Sequence, residues 1–569
     1  MTADAAATLP PAAQPGSPPV VRGRVLPVAL AMCLLFAAIG GKMLRLAFLG
    51  RTELRLQSAE PIGRVVARPD IVDRRGRIIA TDIDAPSLFA DPSLILDLDE
   101  VVEKLTATLP GLDAADLRRN LGDRGRRFAW IRRGMAPVEA QRVHELGLPG
   151  LAFRREPKRV YPLGALTGRI IGHVNVDNRG QGGIERSIDE TAGIGGLLGV
   201  SSSQQKAVRL SLDLGAQHSV ADELRQAMTR YVATAATGLV LDIGTGEIVA
   251  AVSLPGIDSN RPGEAIDPAR PDRLQGGVFE LGSIFKMLTI AMFLENGALD
   301  DGRATLDKTY DVTRPIEIGR FTIKDAHASP VPLSVRDIFL HSSNVGAGLM
   351  ALESGTERQR LFLARLGLTE PLRTEIGPVA PPLLPQRWDR IETVTISFGH
   401  GLAVAPLQFA AAAATLLNGG HRVTPTFLAA EAQSPGKKPA GEAVLSPATS
   451  AAIREIMRLN VTAPAGTGRR AEVAGYRVGG KTGTAEMPGV DGYQRRAVIA
   501  SFVGALPMDE PRYLTLVILF EPQATEETRG QITAAVNAAP VTARIITRIA
   551  PILGVLPRRL EAGESKAAE

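Results

Sequence analysis

Apolar residues run uncharged from Val25 to Gly41, bracketed by Arg22 and Arg24 on one side and Lys42 and Arg45 on the other, and resume to Leu49. At about 1.5 Å per helical residue this approaches a hydrocarbon core of roughly 30 Å, so a transmembrane anchor is predicted over residues 25–49. A cleaved signal peptide, with Ala38-Ile39-Gly40 as its small-residue site, and a buried core helix are the alternatives. Residues 1–24 contain Pro10, Pro11, Pro15, Pro18 and Pro19 and are expected to be a disordered tail. Lys42, Arg45, Arg51 and Arg55 outnumber Arg22 and Arg24, and this count alone would leave the large remainder in the cytoplasm. Long translocated domains override such counts.

From residue 50 to 212 the pattern is arginine-rich and broken by Gly and Pro, which fits a pedestal or partner-binding module. It then changes. Gly238-Leu-Val-Leu-Asp-Ile243, the turn Gly244-Thr-Gly246 and Glu247 to Ser253 read as a β-hairpin. Helical patterns follow over 283–295, 335–352 and 406–418, and strands return over 479–485, 497–505 and 514–520. Strands at both ends with helices between predict an α+β domain whose first and last strands share one sheet. The apolar stretch from Leu402 to Leu417 is interrupted by Gln408, opens near Pro406 and ends at Gly419, so it reads as a buried core helix.

Composition narrows the chemistry. The 569 residues carry 65 Lys plus Arg against 60 Asp plus Glu, a net charge of +5, too small to make nucleic acid the expected partner. The single cysteine, Cys33, excludes an intrachain disulfide and a cysteine-built metal site. His144-Glu145 opens like a zinc-protease motif, but Leu148 stands where the second histidine belongs.

Gly475-Tyr-Arg-Val-Gly-Gly480-Lys481-Thr482 fits a phosphate-binding loop in full. Such a loop must feed a helix, and the residues after it, through Pro488-Gly489 to Gly492, forbid one. Lys481 also belongs to a second pattern, in which S-x-x-K, S-x-N and K-T-G assemble a serine acyl-transfer site. Of three S-x-x-K matches, Ser203 to Lys206 and Ser434 to Lys437 read as polar loops, whereas Ser283-Ile-Phe-Lys286 opens an apolar helix. At i and i+3 its hydroxyl and amine share a face. Ser342-Ser343-Asn344 and Lys481-Thr482-Gly483-Thr484 supply the other two motifs, in order.

The chemistry requires these residue types. A hydroxyl becomes a nucleophile when a base takes its proton, and burial with a second cation keeps a lysine neutral enough to serve. Lys286 is the expected base for Ser283 and Lys481 the second cation. Ser342 is expected to relay a proton to the leaving amine, Asn344 to hold a substrate amide, and Thr482, Gly483 and Thr484 to form the carboxylate-binding strand. The N–H groups of Ser283 and Thr484 are the expected oxyanion hole.

With these motifs the chain resembles a class B penicillin-binding protein, a bitopic peptidoglycan D,D-transpeptidase. Arg75-Gly76-Arg77-Ile78, Arg159-Val-Tyr161-Pro162 and Gly182-Gly-Ile-Glu185 resemble the family's non-catalytic motifs; Gly466-Thr-Gly468 and Ala500-Ser-Phe-Val-Gly504 resemble catalytic-domain ones. Leu281 departs from the usual Pro-Gly-Ser lead-in. Phe398-Gly-His400-Gly401 followed by Pro406-Leu-Gln408 resembles the division-specific subgroup.

The resemblance implies an elongated pedestal over 50–212, a penicillin-binding transpeptidase domain with a central antiparallel sheet flanked by helices over 213–556, and a tail over 557–569. It implies an extracytoplasmic catalytic domain on a single-pass inner-membrane anchor with a cytoplasmic N-terminus. Stem peptides are the implied substrate and β-lactams the implied inhibitors. A glycosyltransferase of the shape, elongation, division and sporulation type and other division-complex membrane proteins are the implied partners, with no metal or organic cofactor and no nucleic acid. Three readings stay open beside it: an elongation-specific enzyme, a β-lactamase or carboxypeptidase in which water replaces the amine, and a catalytically silent β-lactam sensor or division scaffold. Glu370-Pro371 faintly resembles a deacylating motif, but Thr374 stands where that motif has Asn.

Overall fold

The computed structural model describes residues 30–43, 67–197, 206–300, 304–430, 441–489 and 492–558. Residues 1–64 and 65–569 are two separate units. In the first, 30–43 form an exposed apolar helix. No helix among the described residues is long and apolar enough to cross a membrane, and the rest of the expected anchor, 25–29 and 44–49, lies outside them. The Ser434 to Lys437 match and most of Ser203 to Lys206 lie outside them too.

The amino-terminal part of the second unit is built on a long antiparallel ribbon, β1 (Ile78–Ala90) with β3 (Leu151–Val160), to whose end β2 (Ala129–Arg132) adds a third strand. One face carries Leu88, Ala90 and Ala129 into a small core with Val101, Leu105 and Val143. At the ribbon's root, charge is buried deliberately. Glu185, fully buried, accepts from Arg68 Nε at 2.7 Å and Arg159 Nε at 2.6 Å, and Arg159 also reaches Asp82 at 3.1 Å. Paired charges of this kind hold geometry, because removing one partner strands the other in a low dielectric. Arg75 and Arg77 extend the lock to Asp213, which itself caps α1 (Leu214–Arg230) by accepting from the N–H groups of Gly215 and Ala216.

The carboxyl-terminal part is a five-stranded antiparallel sheet of β4 (Ala235–Asp242), β5 (Ile248–Leu254), β6 (Gly479–Gly489), β7 (Gly492–Leu506) and β8 (Tyr513–Phe520), ordered β6-β7-β8-β4-β5. The first and last strands in sequence pair in full, from Tyr513 opposite Asp242 to Phe520 opposite Ala235. Both faces are buried, so these strands read as continuous apolar runs. Side chains alternate: Leu239, Leu241, Leu516 and Ile518 enter one core, Val240, Val517 and Leu519 the other. The second core is closed by α1 and α7 (Ala538–Ile552).

The first core holds α2 (Lys286–Asp300), α3 (Val335–His341), α4 (Asn344–Ser354), α5 (Pro406–Leu417) and α6 (Pro447–Thr462). Every residue of α5 is buried. Its two polar residues are both bonded: Gln408 Nε2 donates to the carbonyls of Gly367 and Glu370 at 2.7 and 2.6 Å, and Thr415 Oγ1 donates to Ala411 O at 3.0 Å. Edge strand β5 is shielded by another glutamine, since Gln217 accepts from Ala251 N–H and donates to Ala251 C=O, both at 2.8 Å.

Two expectations change. The helix expected over 335–352 is two helices, broken where Ser342 takes a left-handed backbone (φ 59°, ψ 41°). The helix expected to open at Ser283 is preceded there by a 3₁₀ turn, Gly282–Phe285, and α2 begins at Lys286.

Candidate active site

Ser283 stands on the 3₁₀ turn that feeds the buried helix α2, and Lys286 begins that helix one turn later. The turn is pressed against edge strand β6. Gly282 has φ +59°, and a Cβ built on it would lie 2.9 Å from the Thr484 carbonyl oxygen. A Cβ on Gly483 would lie 2.7 Å from the Leu281 carbonyl and 2.5 Å from Ser501 Oγ. Only glycine permits the two backbones to meet this closely, and the meeting brings Ser283 beside Thr484.

Lys286 is the hub. Its Nζ donates to Ser283 Oγ at 2.9 Å, Ser342 O at 2.7 Å, Ser342 Oγ at 3.1 Å and Asn344 Oδ1 at 2.7 Å. Lys481 Nζ donates to the same Ser342 Oγ at 3.0 Å, and lies 5.5 Å from the Phe339 ring centre. The left-handed turn at Ser342 ends α3 and aims its hydroxyl between the two amines. A non-glycine residue held in that conformation stores roughly 1–3 kcal/mol, which the fixed surroundings sustain.

Both lysines are fully buried. Burial, reinforced by the charge on Lys481, pushes Lys286 well below the ordinary lysine range against a smaller opposing pull from Asp325. Burial alone pushes Lys481 down to about 7. Hydroxyls, carbonyls and an amide surround both amines. With no directly bonded carboxylate among the described residues, the shift of Lys286 is toward the neutral amine, the form that accepts a proton from a hydroxyl.

The structure therefore brings together Ser283, Lys286, Ser342, Asn344 and Lys481, with Gly483 and Thr484 alongside. Thr482 Oγ1 donates to Thr467 Oγ1 at 2.7 Å, and Thr484 Oγ1 accepts from Ala534 N–H at 3.2 Å. The phosphate-loop alternative fails on secondary structure, because Lys481 and Thr482 lie inside β6 and no helix follows them. Glu370 is exposed in a turn whose carbonyl is taken by Gln408. His400 is half-buried in the loop behind Gly282, and burial lowers its pKa against the opposing charge of Glu280.

Two supporting residues escaped the sequence reading. Asp325 accepts from Ser343 Oγ at 2.6 Å and from the N–H groups of Asn344 and Val345, pinning the first turn of α4. Asn460, fully buried on α6, donates to Gly480 O at 2.8 Å and accepts from Thr467 N–H at 3.1 Å, tying the Gly466–Gly468 turn to β6. Asp325 carries no local signal, because its partners lie 18–20 residues away. Asn460 reaches Thr467 seven residues on and Gly480 twenty on, and only Gly466-Thr-Gly468 marks the turn in sequence.

Comparison with known proteins identifies the family. The family model described as the penicillin binding protein transpeptidase domain matches residues 236–542, and the one described as the penicillin-binding protein dimerisation domain matches 64–197. The probable peptidoglycan D,D-transpeptidase FtsI of Caulobacter vibrioides is 37% identical over 496 residues, 86% of this chain and 82% of that protein. The probable peptidoglycan D,D-transpeptidase PenA of Neisseria gonorrhoeae is 32% identical over 577 residues, 97% of this chain and 96% of that one. The aztreonam complex of penicillin-binding protein 3 from Mycobacterium tuberculosis shares the fold, with a TM-score of 0.66 at 23% identity over 87% of this chain and 98% of that chain. By its matched domains and its relatives alike, this chain belongs to the penicillin-binding protein transpeptidase family.

Proposed function

We propose that this protein is a serine peptidoglycan D,D-transpeptidase that crosslinks stem peptides through an acyl-enzyme on Ser283. The carrying observation is the Lys286 amine, buried, without a bonded carboxylate among the described residues, and 2.9 Å from Ser283 Oγ. Lys286 takes the hydroxyl proton as Oγ attacks the penultimate D-Ala carbonyl, and the oxyanion is met by the N–H groups of Ser283 and Thr484. Ser342, bonded to both lysines, passes a proton to the departing D-Ala amine. Asn344 holds a substrate amide, and Thr482 and Thr484 with Lys481 hold the terminal carboxylate. An amine of a second stem then attacks the ester carbonyl, loses its proton, and returns Ser283 as a hydroxyl. β-Lactams enter the first half of this cycle and stall as the acyl-enzyme.

The same reading makes 25–49 a single membrane anchor with an extracytoplasmic catalytic domain, 50–212 the pedestal and 213–556 the transpeptidase domain. It assigns a septal role, supported by the resemblance of Phe398-Gly-His400-Gly401 and by the names of the relatives, with a membrane glycosyltransferase and other division proteins as partners. Labelling with a fluorescent penicillin tests the chemistry: wild type is labelled and Ser283→Ala is not. Equal labelling of the two overturns the assignment.

A further inference from the structure

The pedestal ribbon has a second face, and it is not a core face. Phe89 is opposite Trp130 on β2 and opposite Ala152 on β3, on the side of the ribbon away from Leu88 and Ala90. Phe89, Phe128 and Trp130 are all partly exposed there. Their rings form one cluster, Phe89 stacked on Phe128 at 4.8 Å and Trp130 edge-on to both at 6.2 and 4.8 Å. In a chain that is only 4% aromatic, three rings on one outer sheet face are a concentration that core packing does not explain.

The face continues into a cavity. Arg133 lies over the Trp130 ring, 5.0 Å from its centre, and also lines a cavity of about 380 Å³ with Glu156, Lys158, Ser259 and Asn260. That volume is within the roughly 300–1,000 Å³ of small-molecule sites. Ser259 is 4% exposed, and its Oγ has no hydrogen-bond partner among the described residues. A buried hydroxyl in this lining offers a donor and an acceptor to a group from outside the chain.

We propose that this shelf and cavity form an accessory groove for the glycan strand of peptidoglycan. Flat aromatic rings offer their faces to the C–H faces of pyranose rings. The hydroxyl, amide and guanidinium groups of the cavity match vicinal sugar hydroxyls, and exposed Lys158 at its edge complements the strand's carboxylates. Single-stranded nucleic acid, which also stacks on aromatic rings, requires a strongly cationic track. Here Arg133 is neutralised by Glu156 at 3.0 Å and Asp177 at 2.8 Å. The identity of the saccharide rests on the transpeptidase reading. The groove would hold a strand on the pedestal while its stem peptide reaches Ser283.

Trp130 and Trp388 are the two tryptophans, so Trp388→Phe in the full-length, detergent-solubilised protein leaves Trp130 as sole reporter. Titration with stem-free glycan strands, released from peptidoglycan by an amidase, is expected to give a saturable change in Trp130 emission. Phe128→Ala is expected to raise the half-saturating concentration tenfold or more, and Arg133→Gln severalfold, with penicillin acylation unchanged in both. No saturable change, or an equal response to dextran sulfate or to anionic lipid vesicles, overturns the proposal. Acylation of the parent by fluorescent penicillin reports separately on the transpeptidase reading.

Discussion

Arg68 and Arg159 at the root of the pedestal, and Lys286 and Lys481 in the active site, are two pairs of basic side chains taken almost wholly out of water. Their surroundings differ in one respect. The arginines are bonded to Glu185, Asp82 and Asp189, so burial is compensated and Arg159 is held above the ordinary arginine range once its carboxylates outweigh desolvation. The lysines are bonded to hydroxyls, carbonyls and an amide, so desolvation is left to act and both pKa values fall. Burial with a counter-ion makes a permanent charge and a joint; burial without one makes a base.

The largest effect is expected where that difference is erased in the site. Lys286→Arg keeps a cation but cannot give up its proton, so penicillin acylation should fall about a thousandfold with far-ultraviolet circular dichroism unchanged. Retention of even a tenth of the rate would remove Lys286 as the base. In the pedestal, Glu185→Gln leaves two arginines without their shared anion and should cost about 3–5 kcal/mol in denaturant unfolding. Its acylation rate per folded molecule should stay near wild type.

The pH dependence separates the two lysines. Acylation kcat/KM, a free-enzyme quantity, should rise with pH as Lys286 loses its proton and fall again through about 7 as Lys481 loses its own. Lys481→Arg should abolish the falling limb, because the guanidinium keeps its charge; a falling limb that persists assigns it to another group. A smaller effect, about tenfold on acylation with little change in unfolding midpoint, is expected for Asp325→Asn, which weakens the bonds pinning Asn344 and Val345. Smallest is Arg126→Ala. Its pairing with Asp123 at 3.6 Å is exposed on both sides and should be worth no more than about 0.5 kcal/mol, measured as an unchanged midpoint.

Much of the site was legible because its motifs are local. Ser283 and Lys286 share a face at any helical spacing, and the apolar run after them announces a buried helix. The glycines on both sides of Lys481 and Pro488 beyond it rule out the phosphate-loop helix without a structure. The hairpin over β4 and β5 and the buried helix α5 follow from pattern for the same reason: the period of side-chain directions is a property of a few consecutive residues.

What resisted reading depends on residues distant in sequence. The run from Val335 to Leu352 is apolar enough for one helix, yet it breaks at Ser342, whose hydroxyl takes bonds from Lys286 and Lys481 while Ser343 and Asp325 cap the next helix. Asp325 looks like any polar loop residue until α4 is set beside it, and Gln408 looks like a flaw in an apolar helix until Gly367 and Glu370 present their carbonyls.

By itself the sequence determined the residue types, their order, and the elements that carry them, because those follow from short-range periodicity and turn chemistry. Only the tertiary structure decided which serine lies between the two amines and which strand forms the open edge. It also decided that the charge on Lys286 is suppressed while that on Arg159 is kept. A pKa is set by desolvation and by the nearest charges, and both come from parts of the chain that meet only when it folds.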